Sequence, residues 1–345
     1  MVRKKILFIG GSLNQTTIAE AVAIHLSDDY DCYFTPYYSN GLLGKIAERG
    51  WLDFTALGGK ARLDTETYLR ERNLKVDFAG KQHDYDLIVT TSDLLIQKNL
   101  RGKKVILIQE GMTDPENLMY YLVKYLRLPR YLASTSVTGL SHAYDHFCVA
   151  SNGYRDLFIR KGVDRKKVVV TGIPNFDNMA IHLNNHFPHR GYVLVATSDA
   201  RETLKFDNRK KFIRQAMKIA AGRQMIFKLH PNENYDRAVK EINSIAPKAQ
   251  VFHSGNTNHM IANCDVLITQ YSSVVYVGMA LGKEVYSYFD KTELEKLVPL
   301  QNGGKSGEVI AGVCRNAIEK HPKSPVKSRL GFNRSKESPV VYEVM

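Results

Sequence analysis

Short apolar runs rich in β-branched and aromatic residues recur along this chain, separated by stretches long enough for a helix. They fall into two series. The first comprises 6–9, 32–35, 87–90, 105–109, 146–150 and 168–171; the second comprises 192–196, 225–229, 251–253, 266–269 and 285–288. Continuous apolar runs with helical intervals between them predict buried parallel strands in βαβ units, because a strand covered on both faces has no polar side to alternate. Between the series stand Gly172-Ile173-Pro174 and the polar stretch 184–190.

The fold class expected is therefore α/β, with two Rossmann-like domains facing one cleft. A chain of 345 residues, 44% of them hydrophobic, can fill two such cores. The expected units are 1–180, 185–321 and a basic, Pro/Ser-containing tail, 322–345. That tail reads either as a solvated segment or as one that touches anionic lipid.

The net charge of +13 bears on partners rather than on fold. No helix-turn-helix, zinc-finger or RNA-recognition signature accompanies it, so no nucleic-acid partner is expected. Cys32, Cys148, Cys264 and Cys314 are scattered singly, without zinc spacing or a disulfide framework. Free thiols in a reducing compartment are expected. No charged-plus-apolar leader precedes the first strand, and no apolar run reaches the roughly 20 residues of a membrane span. The expected location is cytoplasmic, extending to the inner face of the cell membrane.

Two strand-to-helix turns in the second half carry chemistry. In Thr269-Gln270-Tyr271-Ser272-Ser273, two serines stand where a helix begins. Such serines cap backbone N–H groups, and the same place suits phosphate. In Lys228-Leu229-His230-Pro231, a lysine and a histidine end a strand, with a proline to hold the turn. Thr197, Ser198 and Arg201 follow the first strand of this half, and Asn256 lies in Ser254-Gly255-Asn256-Thr257-Asn258 after another. Each of these reads equally as an ordinary loop residue or as a contact to phosphate or base.

Together, Lys228-Leu229-His230-Pro231 and Asp265-Val266-Leu267-Ile268-Thr269-Gln270-Tyr271-Ser272-Ser273 resemble the second domain of GT-B proteins of the CDP-glycerol glycerophosphotransferase and capsule-polysaccharide group. Val170-Thr171-Gly172-Ile173-Pro174-Asn175-Phe176-Asp177 is similar to the segment preceding that domain, and the resemblance covers about residues 145–290. It implies that His230, Ser272 and Ser273 contact the phosphates of a nucleotide-activated donor, with Lys228, Thr197, Ser198, Gly172 and Asn256 as further donor-side candidates. The chain departs from the group's pattern at Gln270, where an aspartate is common. It departs again at Tyr276 and Gly278, where an acid is common.

In the first half, Gly10-Gly11-Ser12-Leu13-Asn14-Gln15 follows a strand and opens a helix, but completes neither a dinucleotide fingerprint nor a P-loop. Gly11, Ser12 and Gln15 are the expected acceptor-side loop. A transfer to a hydroxyl with inversion needs a base within reach. Glu110, at the end of a strand and followed by Gly111, is the first candidate; Asp114 is the second, with a helix-capping role as its alternative. The segment 117–130 has an apolar-aromatic stripe beside Lys124, Arg127 and Arg130. It reads either as a core-facing helix or as an interfacial one.

These features imply a GT-B glycosyltransferase of cell-surface polysaccharide or glycolipid assembly that needs no metal and no cofactor. Its expected partners are a nucleotide-sugar donor, a lipid-linked or saccharide acceptor and, as a peripheral contact, an anionic membrane. Polyol-phosphate transfer from CDP-glycerol, UDP-N-acetylglucosamine 2-epimerisation and a catalytically inactive binding protein remain as alternatives.

Overall fold

The computed structural model describes residues 3–52, 55–202 and 206–319, so the basic segment expected from residue 322 lies outside the described residues. Every run expected as a strand is a strand. The first sheet contains β1 (Lys5–Gly10), β2 (Asp31–Pro36), β3 (Leu87–Thr90), β4 (Val105–Ile108), β5 (His146–Val149) and β6 (Val168–Val170). The second contains β7 (Val193–Ala196), β8 (Met225–Lys228), β9 (Gln250–Phe252), β10 (Val266–Thr269) and β11 (Glu284–Tyr286). All pairings are parallel.

Connecting them are α1 (Leu13–Ala23), α2 (Gly41–Glu48), α3 (Gly59–Glu71), α4 (Leu118–Leu126), α5 (Asn152–Lys161), α6 (Arg209–Ala220), α7 (Tyr235–Ile245), α8 (Thr257–Asn263), α9 (Val274–Ala280), α10 (Lys291–Leu297) and α11 (Ser306–Glu319).

Strand order positions the site. The first sheet runs β2-β1-β3-β4-β5-β6 and the second β11-β10-β7-β8-β9. In each, the chain starts in the interior and builds outward in both directions. The loops leaving the two strands at the reversal therefore diverge and open a crevice at their carboxyl ends. In the first sheet these are the loops after β1 and β3; in the second they are those after β7 and β10.

Strands such as β3, β7 and β10 are buried along their whole length, as continuous apolar runs require. The unit expected at 185–321 is corrected at its far end. Helix α11 packs on α1, with Ile310, Ala311 and Cys314 in the same core as Ile18 and Val22. Lys104 Nζ also donates to the Ala317 carbonyl at 2.6 Å. The apolar stripe of α11 thus covers the first sheet's helical layer, so the chain crosses back after completing the second core.

Tyr154 of α5 and Tyr276 of α9 join the two halves through buried hydroxyls 2.8 Å apart. The cysteines are free: three are buried and Cys32 is half-buried. Burial pushes the thiols of Cys32, Cys148 and Cys264 up to about 12, which makes them inert. Among the described residues, no helix is long and apolar enough to cross a membrane.

Of the two readings of 117–130, the structure shows a core-facing stripe on α4 and a second apolar stripe left exposed. Tyr120 and Val123 face inward on Ala133 and Val137, while Leu118, Tyr125 and Leu126 are 74%, 70% and 65% exposed. A nine-residue helix has room for one covered stripe, and the second apolar stripe is left outside.

Candidate functional site

The loop after β1 builds one wall of the crevice. Ser12 caps α1 by receiving the Gln15 N–H at 3.2 Å, and Gln15 Oε1 receives the Gly11 N–H at 2.7 Å. The other end of the Gln15 amide is thereby fixed as a donor, and Nε2 reaches Glu110 Oε2 at 2.7 Å. Ser12 Oγ at 3.3 Å and Asn14 Nδ2 at 3.1 Å both donate to Glu110 Oε1. The expected acceptor-side loop and the expected base are thus one constellation: a half-buried carboxylate held by three donors, with lone-pair capacity left on Oε2.

Asn14 was not anticipated, although its place in the same loop was the available signal. It also receives Asn175 Nδ2 through its carbonyl at 3.2 Å, which ties the inter-sheet connection to this wall.

Glu110 opens onto a cleft of about 410 Å³ lined by Gln15, Tyr37, Thr91, Phe176 and, from the opposite half, Ser273. An adjoining opening of about 460 Å³ is lined by Asn14, Asn175, Asn258 and again Ser273. Asp114 does not join them. Its carboxylate receives the Thr135 hydroxyl at 2.9 Å and borders a separate groove with Tyr154 and Lys161. Nor does Asp114 cap α4, because Asn117 does so by receiving the Tyr120 N–H at 3.0 Å.

On the second sheet, the loops after β7 and β10 meet as the strand order requires. Ser198 Oγ donates to Gln270 Oε1 at 3.0 Å, and Gln270 Nε2 donates to Asp207 Oδ1 at 2.8 Å. Glu233, fully buried, holds the His-Pro turn: its Oε2 receives the Thr197 hydroxyl and, at 3.2 Å, the His230 N–H.

Arg209 lies behind all three turns, its side chain 2% exposed. Its Nε bonds Asp207 at 2.9 Å and its Nη2 the Ser198 carbonyl at 2.8 Å. Its Nη1 stands 2.8 Å from Glu233 Oε1, though the N–H is not aimed at the oxygen, so this contact is ionic rather than a directed hydrogen bond. The cluster escapes sequence reading because Arg209, Glu233 and Gln270 are far apart along the chain.

Other donor-side expectations divide. His230 Nδ1 receives the Asn232 N–H at 3.2 Å, so the neutral ring carries its proton on Nε2 and can donate outward. The ring stands at the end of β8 and is not part of the cleft that Glu110 and Ser273 share. Ser272 and Ser273 are half-buried at the start of α9, and neither hydroxyl caps the helix or finds a hydrogen-bond partner among the described residues.

Lys228 is corrected. Its ammonium turns inward to the carbonyls of Leu229 at 2.7 Å and His253 at 3.0 Å, and burial lowers its pKa. Thr197 is buried on Glu233. Asn256 caps α8 by receiving the N–H groups of Asn258 and His259. Gly172, at φ +73°, lies where an added Cβ would meet Ser306 Oγ at 2.2 Å, so its role is to let the chain pass the start of α11. The departures from the group's pattern have physical causes too. Tyr276 carries the buried contact to Tyr154, and a Cβ on Gly278 would stand 2.8 Å from Leu267, which leaves no room for an acid.

Two parallel sheets, each opening a crevice toward the other, are shared with solved proteins. A UDP-N-acetylglucosamine 2-epimerase superposes with a TM-score of 0.56 at 12% identity, over 95% of this chain and all of that one. The Methanocaldococcus jannaschii UDP-GlcNAc 2-epimerase, solved with UDP-GlcNAc and UDP, gives 0.53 at 13% over 91% of this chain and all of that one. A variant of the wall teichoic acid polymerase TagF gives 0.50 at 12% over 92% of this chain and 89% of that one. The chain has the GT-B fold. No family model and no curated protein matches its sequence. At such identities the likeness extends to the GT-B architecture and not to the chemistry done in it.

Proposed function

We propose that this GT-B protein is a glycosyltransferase that moves a sugar from a nucleotide-activated donor to a hydroxyl of a saccharide or lipid-linked acceptor of the cell surface. The observation that carries the proposal is Glu110. It is a carboxylate oriented by Ser12, Asn14 and Gln15, facing a cleft whose other wall includes Ser273. Glu110 takes the proton of the acceptor hydroxyl as that oxygen bonds to the anomeric carbon. The carbon–oxygen bond to the donor phosphate breaks, and the configuration inverts. The leaving phosphate is met by the hydroxyl of Ser273, unpartnered among the described residues, which lines both openings beside Glu110; His230 and Ser272, outside their lining, are not assigned to this step. Neither a metal nor a cofactor enters this scheme. Neighbours solved with UDP-GlcNAc in the same fold support a nucleotide-sugar donor.

The exposed face of α4 supports an acceptor at the inner face of an anionic membrane. The loop 111–117 joins it to Glu110. Lys124, Arg127 and Arg130 flank its apolar residues, and no Asp or Glu occurs from 117 to 144.

The test is to incubate the full chain with UDP-, CMP- and CDP-linked donors, with and without glycolipid and saccharide acceptors, and to follow released nucleotide and labelled product. Acceptor-dependent nucleotide release with glycoside formation is expected. Phosphate transfer from CDP-glycerol with release of CMP, or epimerisation of UDP-GlcNAc without acceptor, would replace the proposal with one of the other two chemistries.

A further inference from the structure

We propose that the part of the cleft lying against the first sheet is a subsite for an uncharged, hydroxyl-rich group, a neutral sugar ring or polyol, and that Thr91 is one of its binding residues. The proposal rests on the transferase reading only in naming that group the acceptor.

Thr91 follows β3, the strand beside β1 at the chain reversal, so its loop faces the loop that holds Glu110. The residue is 5% exposed, and its hydroxyl is buried with no hydrogen-bond partner among the described residues. Its neighbour Thr90 shows the ordinary arrangement, donating to the Ser92 carbonyl at 3.1 Å. A buried hydroxyl without a partner is destabilising, and Thr91 lines the cleft, where a group from outside the chain can supply one.

The lining around Thr91 specifies that group. Thr113 and Thr138 bring further hydroxyls, while the Ser92 hydroxyl already donates to Tyr37, Tyr37 also receives the Leu95 N–H, and the Gln109 amide is spent on the Gly111 carbonyl and the Ala150 N–H. Leu94, Met112 and Phe176 supply apolar surface of the kind that fits the C–H faces of a sugar ring. Among the described residues no Lys, Arg or His lines this cleft, although the chain carries a net charge of +13, and Glu110 is the one charged residue of that lining. A phosphate or carboxylate entering here would face that carboxylate with no cation to offset it. A cation would have to compete with the three donors already on Glu110.

The experiment is a saturation-transfer NMR titration of the full chain with octyl β-glucoside and octyl β-galactoside. These are set against octyl β-glucuronide and the 6-phosphate of octyl β-glucoside, all below their micellar concentrations. Neutral rings should saturate, with signal from the ring protons, and their charged counterparts should bind about tenfold more weakly or worse. Thr91→Val keeps the shape and removes only the hydroxyl. It should weaken neutral-ring binding about tenfold, while thermal stability stays equal or rises, because an unpaired polar atom has been removed. Three results each overturn the proposal: Thr91→Val binding like the wild type, acidic rings binding as well as neutral ones, or no neutral ring binding through its ring protons. Because the titration needs neither donor nor turnover, it reads the subsite even if no transfer is found. Conversely, nucleotide-dependent transfer onto an acidic acceptor would leave the transferase reading standing and remove this inference.

Discussion

Gln15 donates from Nε2 to Oε2 of Glu110 at 2.7 Å while its own Oε1 receives the amide N–H of Gly11 at 2.7 Å, so the backbone turn after β1 sets the orientation of the carboxylate that follows β4. Glu110→Gln keeps the size of the side chain and removes its basicity. It should lower kcat by about 10²–10⁴-fold with nucleotide affinity unchanged. Gln15→Met keeps bulk and removes only the orienting donor, so its loss of kcat should be smaller and in the same direction. Steady-state kinetics and calorimetric nucleotide binding on both variants check this; an unchanged kcat in Glu110→Gln removes Glu110 from the mechanism.

Arg209 neutralises Glu233 and Asp207 where neither reaches water, their side chains being 0% and 1% exposed. Removing Arg209 leaves both carboxylates with only Arg201 as a cation among the described residues, 3.9 Å from each, and breaking a buried ionic contact of this kind costs about 3–5 kcal/mol. Arg209→Met should therefore be strongly destabilised in urea melts. Arg209→Met/Glu233→Gln should recover part of the loss, because the Gln amide oxygen can still receive the His230 N–H. If the two losses simply add, the pair is not coupled.

How much of this was legible follows from what each signal encodes. The strands were plain because a doubly covered strand must be apolar throughout, as Leu87-Ile88-Val89 and Val193-Leu194-Val195 are. Glu110 and the Gly11–Gln15 loop were expected at a cleft because each follows an apolar strand, and the structure brings them into contact. Lys228 was misjudged because sequence puts it at a strand end without saying which way its ammonium turns, and two carbonyls draw it inward. Helix α11 was assigned to the wrong core because an amphipathic stripe records that it is covered and not what covers it. The same silence left α4 open between two readings. Thr91 gave no signal, since a missing hydrogen bond is visible only in three dimensions.

The apolar face of α4 yields a prediction separable from catalysis. Tyr125 and Leu126 are exposed and are not among the residues that line the cleft. Changing both to Glu should reduce co-sedimentation with phosphatidylglycerol vesicles by about tenfold or more, since two apolar anchors are lost and two like charges are added near an anionic surface. Turnover on a water-soluble acceptor should be unaffected. Equal sedimentation of wild type and variant would remove α4 as the membrane contact.

Lys161 offers a test of packing through pH. Its ammonium is buried on α5 against the Ser136 carbonyl at 2.7 Å and over the Tyr120 ring, and burial lowers its pKa to about 8, with Glu116 and Asp114 opposing and Arg160 and Lys124 assisting. Unfolded, the same group titrates near 10.5. Between those values the unfolded chain binds more protons than the folded one, so this lysine's contribution to stability rises with pH across that window. Below about 8 the full cost of burying the charge is present, up to about 3 kcal/mol. Buried thiols and tyrosines work in the opposite sense at higher pH, because their raised pKa values keep protons on the folded chain. The difference between wild type and Lys161→Met isolates the lysine from them. That difference should shift in favour of the wild type as pH rises from about 8 toward 10, measured by urea unfolding at each pH. A pH-independent difference would mean that the ammonium is not held in a low-dielectric site.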